Sequence, residues 1–198
     1  YETDLRLRPN GAAGLLVSSI DAFKAYQLNN AWPWEHRALT RARFVAGDAA
    51  LGALFEDVRI EVLRQPRDKE LLRKSVLEMR DKMRAAHPNR GEAFDLKHDR
   101  GGIVDVEFIV QYLILAHAHA HQALTRNLGN LALLKIAADL SLIPVALAGP
   151  AQDAYRRYRR LQHSLRLQAE KFARSERSMV EDHFAAVLRL WNFVFGAP

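Results

Sequence analysis

Prolines cut most of this chain into lengths that suit α-helices. Leu51, Leu54, Phe55, Val58 and Val62 recur at helical spacing, and the run stops at Pro66; Leu72, Val76, Met79 and Met83 repeat the spacing as far as Pro88. Ile103 to His121 is more apolar and reads as a central helix. Leu128 to Leu140 is amphipathic and ends ahead of Pro144, and Ala151 to Arg174 and Met179 to Phe195 complete the series. Five or six long helices with short connections predict a bundle. The β signal is confined to the opening. Tyr1 to Pro9 alternates, with Leu5 and Leu7 on one side and Asp4, Arg6 and Arg8 on the other, before Pro9, Asn10 and Gly11 end it. Leu15 to Ser18 reads as a second strand or strand end, after which Ser19 or Asp21 is placed to cap a helix bearing Phe23 and Tyr26. The expected fold is mainly α, a helical bundle preceded by a short β remnant.

Such helices need a core, and 49% hydrophobic with 26% charged residues provides one. The absence of Cys excludes disulfides, thiolate zinc sites and thiol catalysis, and fits a reducing compartment. The longest apolar stretch, Ile109 to Ala118, contains Gln111 and ends among histidines, too short and too polar to span a bilayer. A net charge of +6 favours polyanionic partners. The start at Tyr1, inside an alternating segment and without Met, suggests a piece of a longer protein.

Three stretches group residues suited to phosphate chemistry. Asp4, Arg6 and Arg8 project from one strand face, as a magnesium ligand beside phosphate contacts or as cross-strand ion pairs. Trp32 to Arg43 sets Glu35, Arg37, Arg41 and Arg43 among large aromatics, as a phosphate-facing patch or as an ordinary helix with solvated arginines. Gly101 and Gly102 form a turn directly before the apolar helix, whose first turns hold Asp105 and Glu107. Those acids either complement the helix dipole or hold a cation, with Lys97 available to a phosphate. His117 and His121 share helical spacing, yet no acid stands in register with them, so they read as terminal or solvent-facing. The basic run Arg156, Arg157, Arg159 and Arg160 alternates with Tyr155, Tyr158 and Leu161 at core spacing, which describes a solvated face rather than a nucleic-acid site.

Together these stretches resemble the bacterial glutamine synthetase adenylyltransferase family, on Asp4-Leu-Arg-Leu-Arg-Pro-Asn-Gly-Ala-Ala-Gly14, Trp34-Glu-His-Arg-Ala-Leu-Thr-Arg-Ala-Arg43 and Gly101-Gly-Ile-Val-Asp-Val-Glu-Phe108, in the family's order and spacing. The similarity thins after about Pro144. Family members carry two nucleotidyltransferase halves, one removing AMP from a tyrosine of glutamine synthetase and one adding it from ATP. The Asn-Gly-Ala-Ala-Gly run and Asp105 resemble the adding half.

The resemblance implies that residues 1–47 are the end of an incomplete nucleotidyltransferase domain and 48–198 a helical domain. It makes Asp4 the third catalytic acid and a metal ligand, with Asp105 and Glu107 as further metal candidates. Arg6, Arg8, Arg43, Lys97, Gly101 and Gly102 become candidates for nucleotide phosphate contact. Mg²⁺ is the implied cofactor and ATP the substrate. Glutamine synthetase and the PII signal protein are the implied partners, in the cytoplasm, with no membrane or nucleic acid expected. The isolated chain, lacking the family's upstream Gly-Ser turn and Asp-x-Asp pair, is expected to be inactive. A helical docking module for glutamine synthetase or PII is the alternative, and a basic nucleic-acid-binding domain a further one.

Overall fold

The computed structural model describes residues 9–196, so the strand expected over Tyr1 to Pro9, with Asp4, Arg6 and Arg8, lies outside the described residues up to Arg8. The fold is mainly α, in two compact units. One takes the chain up to Ser75 together with Ile114–Asn127; the other takes Val76–Leu113 and Leu128 onward.

In the first unit, Leu15 to Val17 form no strand and are exposed. Helix α1, Ile20–Asn29, starts where Ser19 Oγ accepts the Ala22 N–H at 3.2 Å. Helix α2, Pro33–Leu39, opens on a proline whose missing N–H costs nothing there. Glu35 closes that start, accepting the Trp32 N–H and the Tyr26 hydroxyl, both at 2.9 Å, and so ties α2 to α1. Asp48 caps α3, Ala49–Leu63, which packs on α1 and α2.

The buried stripe of α3 differs from the expected one. Val58 and Val62 are buried, but Leu51 and Leu54 are half exposed, and Gly52, Arg59 and Leu63 take the interior positions. The Phe44 ring lies on Gly52, where a Cβ would stand 2.7 Å from it. Arg59 is fully buried, its guanidinium bonded to both Glu56 oxygens and donating to the carbonyls of Leu39 and Thr125. These two contacts turn the helix away from the face that spacing alone selects. Arg67 donates to the carbonyls of Val62, Leu63 and Gln65 and to His36 Nδ1, placing a cation on the C-terminus of α3.

Helix α4, Lys69–Ala86, begins on Asp68, whose carboxylate accepts the Glu70 and Leu71 N–H groups at 2.9 Å. Helix α5, Ile103–His117, is buried along almost its whole length, as its apolar sequence predicts.

The second unit adds α6, Asn130–Asp139, α7, Val145–Leu167, and α8, Glu181–Phe195; α7 packs on both α6 and α8. Alanines 148, 151 and 154 are buried along α7, and Val187, Leu190, Trp191 and Phe195 form the buried side of α8. Helix α7 begins and ends earlier than the expected Ala151 to Arg174. Pro150 sits on its exposed side in the second turn, forfeiting one hydrogen bond. Ala169 at φ 60° then closes the far end, with the Glu170 N–H on the Leu165 carbonyl.

A two-strand antiparallel ladder joins β1, Phe94–Asp95, to β2, Arg174–Ser175, pairing Phe94 with Ser175 and Asp95 with Arg174. The Leu96 N–H extends it to the Ala173 carbonyl at 2.9 Å. No periodic β signal marks these segments, because each strand is two residues long. No helix among the described residues is long and apolar enough to cross a membrane.

Candidate functional site

The segment from β1 to the start of α5 folds back on itself through short-range bonds. Asp95 Oδ1 accepts the Lys97 and His98 N–H groups at 2.9 Å, the local turn that an Asp two residues ahead of the bend favours. Asp99 Oδ2 accepts the Asp95 N–H and Asn89 Nδ2, at 2.9 and 2.8 Å, and Asn89 Nδ2 also reaches the Ala93 carbonyl. The segment is thereby pinned at both ends.

Gly101, at φ 83°, sits where an added Cβ would lie 2.7 Å from the Phe184 carbonyl oxygen; at Gly102 it would meet the Leu96 carbonyl at 2.8 Å. Each N–H from this turn into the helix is engaged. Gly101 donates to Asp105 Oδ2 at 2.6 Å, Gly102 to the Asp99 carbonyl, Ile103 to Leu96 and Val104 to Lys97. Backbone groups that a bare helix start would offer to an anion are thus taken inside the fold.

Asp105 is 3% exposed, and its other oxygen accepts from Arg80 Nε at 2.5 Å. Arg80 is itself 4% exposed and donates from Nη2 to the His98 carbonyl at 2.8 Å, while its Nη1 is buried without a partner among the described residues. Burial pushes the Asp105 carboxyl up, and the Arg80 guanidinium and the Gly101 N–H oppose that push. The neighbouring Tyr158 hydroxyl is buried and raised in pKa, first by burial and then by the Asp105 charge. Burial also lowers His98, whose ring lies 4.2 Å from that of His87. This is a charge-compensated clasp binding α4, the turn and α5 together.

Of the predicted residues, Gly101, Gly102 and Asp105 come together here. Glu107 is two positions beyond Asp105, roughly 200° around the helix, so the two carboxylates leave α5 on opposite sides. It is half-buried and has an interaction of its own. The Lys97 side chain is exposed. Arg43 is exposed in the other unit, as are Trp32 and Trp34.

Among the described residues no three His, Cys, Asp or Glu side chains are grouped to hold a metal. His117 and His121 form no such group, and burial with the Lys69 charge holds His117 down at about 4. In the basic run, Arg156 pairs with Asp153 at 2.6 Å and Arg159 bonds Gln162, as on a solvated face.

Arg80, Arg59 and Arg67 were not singled out by motif. The first two carry a usable signal: Leu72, Val76 and Arg80 stand four apart on one stripe of α4, and Arg59 lies between Val58 and Val62. A charge on an apolar stripe demands a buried partner.

The family model for glutamate-ammonia ligase adenylyltransferase matches residues 1–58, and that for GlnD PII-uridylyltransferase matches residues 73–194. The chain is 56% identical over 98% of its length to a bifunctional glutamine synthetase adenylyltransferase/adenylyl-removing enzyme of Bordetella bronchiseptica. It is 57% identical over its whole length to the protein of that name from Aromatoleum aromaticum, and 53% identical over 99% to that from Nitrosomonas europaea. It spans 21–23% of the length of these relatives.

Proposed function

The chain belongs to the glutamine synthetase adenylyltransferase family, and from that premise we propose that it is the distal part of the half that transfers AMP from ATP to a tyrosine of glutamine synthetase. Identity of 53–57% sustained along essentially all of the chain, across both units, carries this assignment. The Asn10-Gly-Ala-Ala-Gly14 run and Asp105 support the adding rather than the removing half. Residues 1–47 finish the nucleotidyltransferase domain, and 48–198 form the helical domain behind it.

The described residues do not fit a magnesium ion. Both oxygens of Asp105 are engaged, by Arg80 and Gly101, and Glu107 leaves the helix on another side. In the parent reaction Asp4 remains the candidate ligand and catalytic acid, with Arg6, Arg8 and Arg43 as phosphate contacts. Gly101 and Gly102 serve by allowing the turn to pack against Phe184 and Leu96. Leu15, Leu16, Val17, Trp32 and Val45 are each at least 65% exposed in the first unit, which supports its packing in the parent against protein beyond this chain. The isolated chain therefore folds without transferring AMP. Glutamine synthetase and the PII signal protein are the proposed partners of the parent, in the cytoplasm.

Asp4→Asn in the full-length parent tests the assignment. Addition of AMP to glutamine synthetase should be lost while removal continues, since the substitution keeps the side chain's size but deletes the charge an ion requires. Wild-type addition in the variant would withdraw Asp4 from the catalytic site.

A further inference from the structure

A cavity of about 360 Å³ opens in the second unit beside the clasp, and neither the clasp nor the candidate residues above account for it. Its wall draws on four separate segments: Arg84 from the end of α4, Asn89 and Gly91 from the loop that follows, Asp99 and Arg100 from the turn, and Arg177, Phe184 and Leu188 from the C-terminal region. The lining therefore holds three guanidinium groups and one carboxylate.

The charges are unequally compensated. Asp99 spends Oδ2 on the Asn89 side chain and the Asp95 N–H, and Arg84 pairs with Asp81 at 3.1 Å. Arg100 and Arg177 have no ion pair or hydrogen bond from their guanidinium groups among the described residues; Arg177 lies over the Phe184 ring at 5.4 Å. A fourth arginine stands at the rim: Arg174 Nη1 is 3.7 Å from where a Cβ on Gly91 would be, and its Nε is buried without a partner.

We propose that this cavity binds a small phosphorylated molecule. Two guanidinium groups on the wall without a direct ion pair match a phosphate dianion, with the buried Asp105 charge felt by Arg100 at longer range, and guanidinium forks from different segments suit an oxyanion with several oxygens to share between them. Phe184 and Leu188 supply an apolar wall for the organic part. The volume lies within the range of about 300–1,000 Å³ usual for small-ligand sites.

Calorimetric titration of the 198-residue chain with inorganic pyrophosphate, with AMP and with glutamate tests the site. Pyrophosphate and AMP should each bind saturably at one site, and more tightly than glutamate. Arg100→Gln and Arg177→Gln, both at exposed positions, should each weaken binding at least tenfold; Arg156→Gln on α7, outside the cavity, should leave it unchanged. Circular dichroism of each variant establishes that the helices persist. Nuclear magnetic resonance of the unmutated chain gives a second readout, in which the Gly91 and Arg100 amides should shift with pyrophosphate. Absence of saturable binding by either phosphate, equal weakening by Arg156→Gln, or tighter binding of glutamate would overturn the proposal. If pyrophosphate binds and AMP does not, the site takes the inorganic anion and the organic part of the proposal falls.

Discussion

Among the described residues each unit buries an arginine against one acid and two backbone carbonyls, but Arg59 in the first unit meets an acid that still reaches water while Arg80 in the second meets a buried one. Glu56, the acid beside Arg59, keeps 34% of its side chain in water; Asp105 keeps 4%. Arg59 also fastens the end of α2 to the turn at Thr125 through their carbonyls. A cation against a buried acid stakes more on a single contact, because loss of either partner strands a charge in a low-dielectric interior.

Asp105→Asn puts that difference to its strongest test. It should cost about 3–5 kcal/mol in urea unfolding, since Arg80 is left buried without its counter-charge. Arg59→Met should cost less, about 2 kcal/mol, because the stranded carbonyls bear no full charge and Glu56 can rehydrate. Equal losses would erase the distinction between the two units. A further variant, Arg80→Met with Asp105→Leu, should recover most of the loss from Asp105→Asn alone.

Gly102→Val sharpens the comparison within the second unit. Three backbone carbonyls, of Leu96, Asp99 and Lys97, stand within 3.2 Å of the added Cβ, and backbone yields less readily than a side chain. A loss of about 1–3 kcal/mol is expected, with activity of the parent falling no further than the unfolded fraction explains. Activity lost in a variant that stays folded would return the turn to a direct role at the nucleotide.

The smallest expected effect is a pH slope arising in the first unit. His117 has a pKa near 4 in the fold against an ordinary 6.5, so between those values the unfolded chain binds more protons than the folded one. Its contribution is intact above about pH 6.5 and lost progressively as pH falls toward 4. His36, lowered chiefly by burial and flanked by Arg67, acts in the same direction. Urea midpoints measured from pH 7 to 4.5 should fall more gently in His117→Gln than in the unmutated chain. Parallel slopes would show that His117 does not gain from being neutral.

The helices themselves are readable from local chemistry. Ser19 caps where a Ser before an amphipathic run should cap, and α5 is central because its sequence offers it no polar face. What escaped the sequence depends on partners distant in the chain. Leu51 and Leu54 have the spacing of a core stripe, but Phe44 over Gly52 and the carbonyls waiting for Arg59 rotate the helix. Ala169 ends α7 in a conformation that sequence associates with Gly or Asn. In the candidate site the glycines and Asp105 were visible as a motif, whereas Arg80, which determines what Asp105 does, sits on another helix and has no motif of its own.

The two-residue ladder has a consequence for how the second unit assembles. Asp95 and Arg174 are about 80 positions apart, and joining them closes a loop containing α5, α6 and α7 before any reward from the pairing is collected. Contacts between successive helices α6, α7 and α8 close shorter loops at lower entropic cost, so they are expected to form ahead of the ladder. Cavity walls at Arg100 and at Arg177 lie just beyond the two paired segments, one on each side of that late closure. Loop length thus predicts that the anion pocket is completed only when the ladder closes, after the helices have paired.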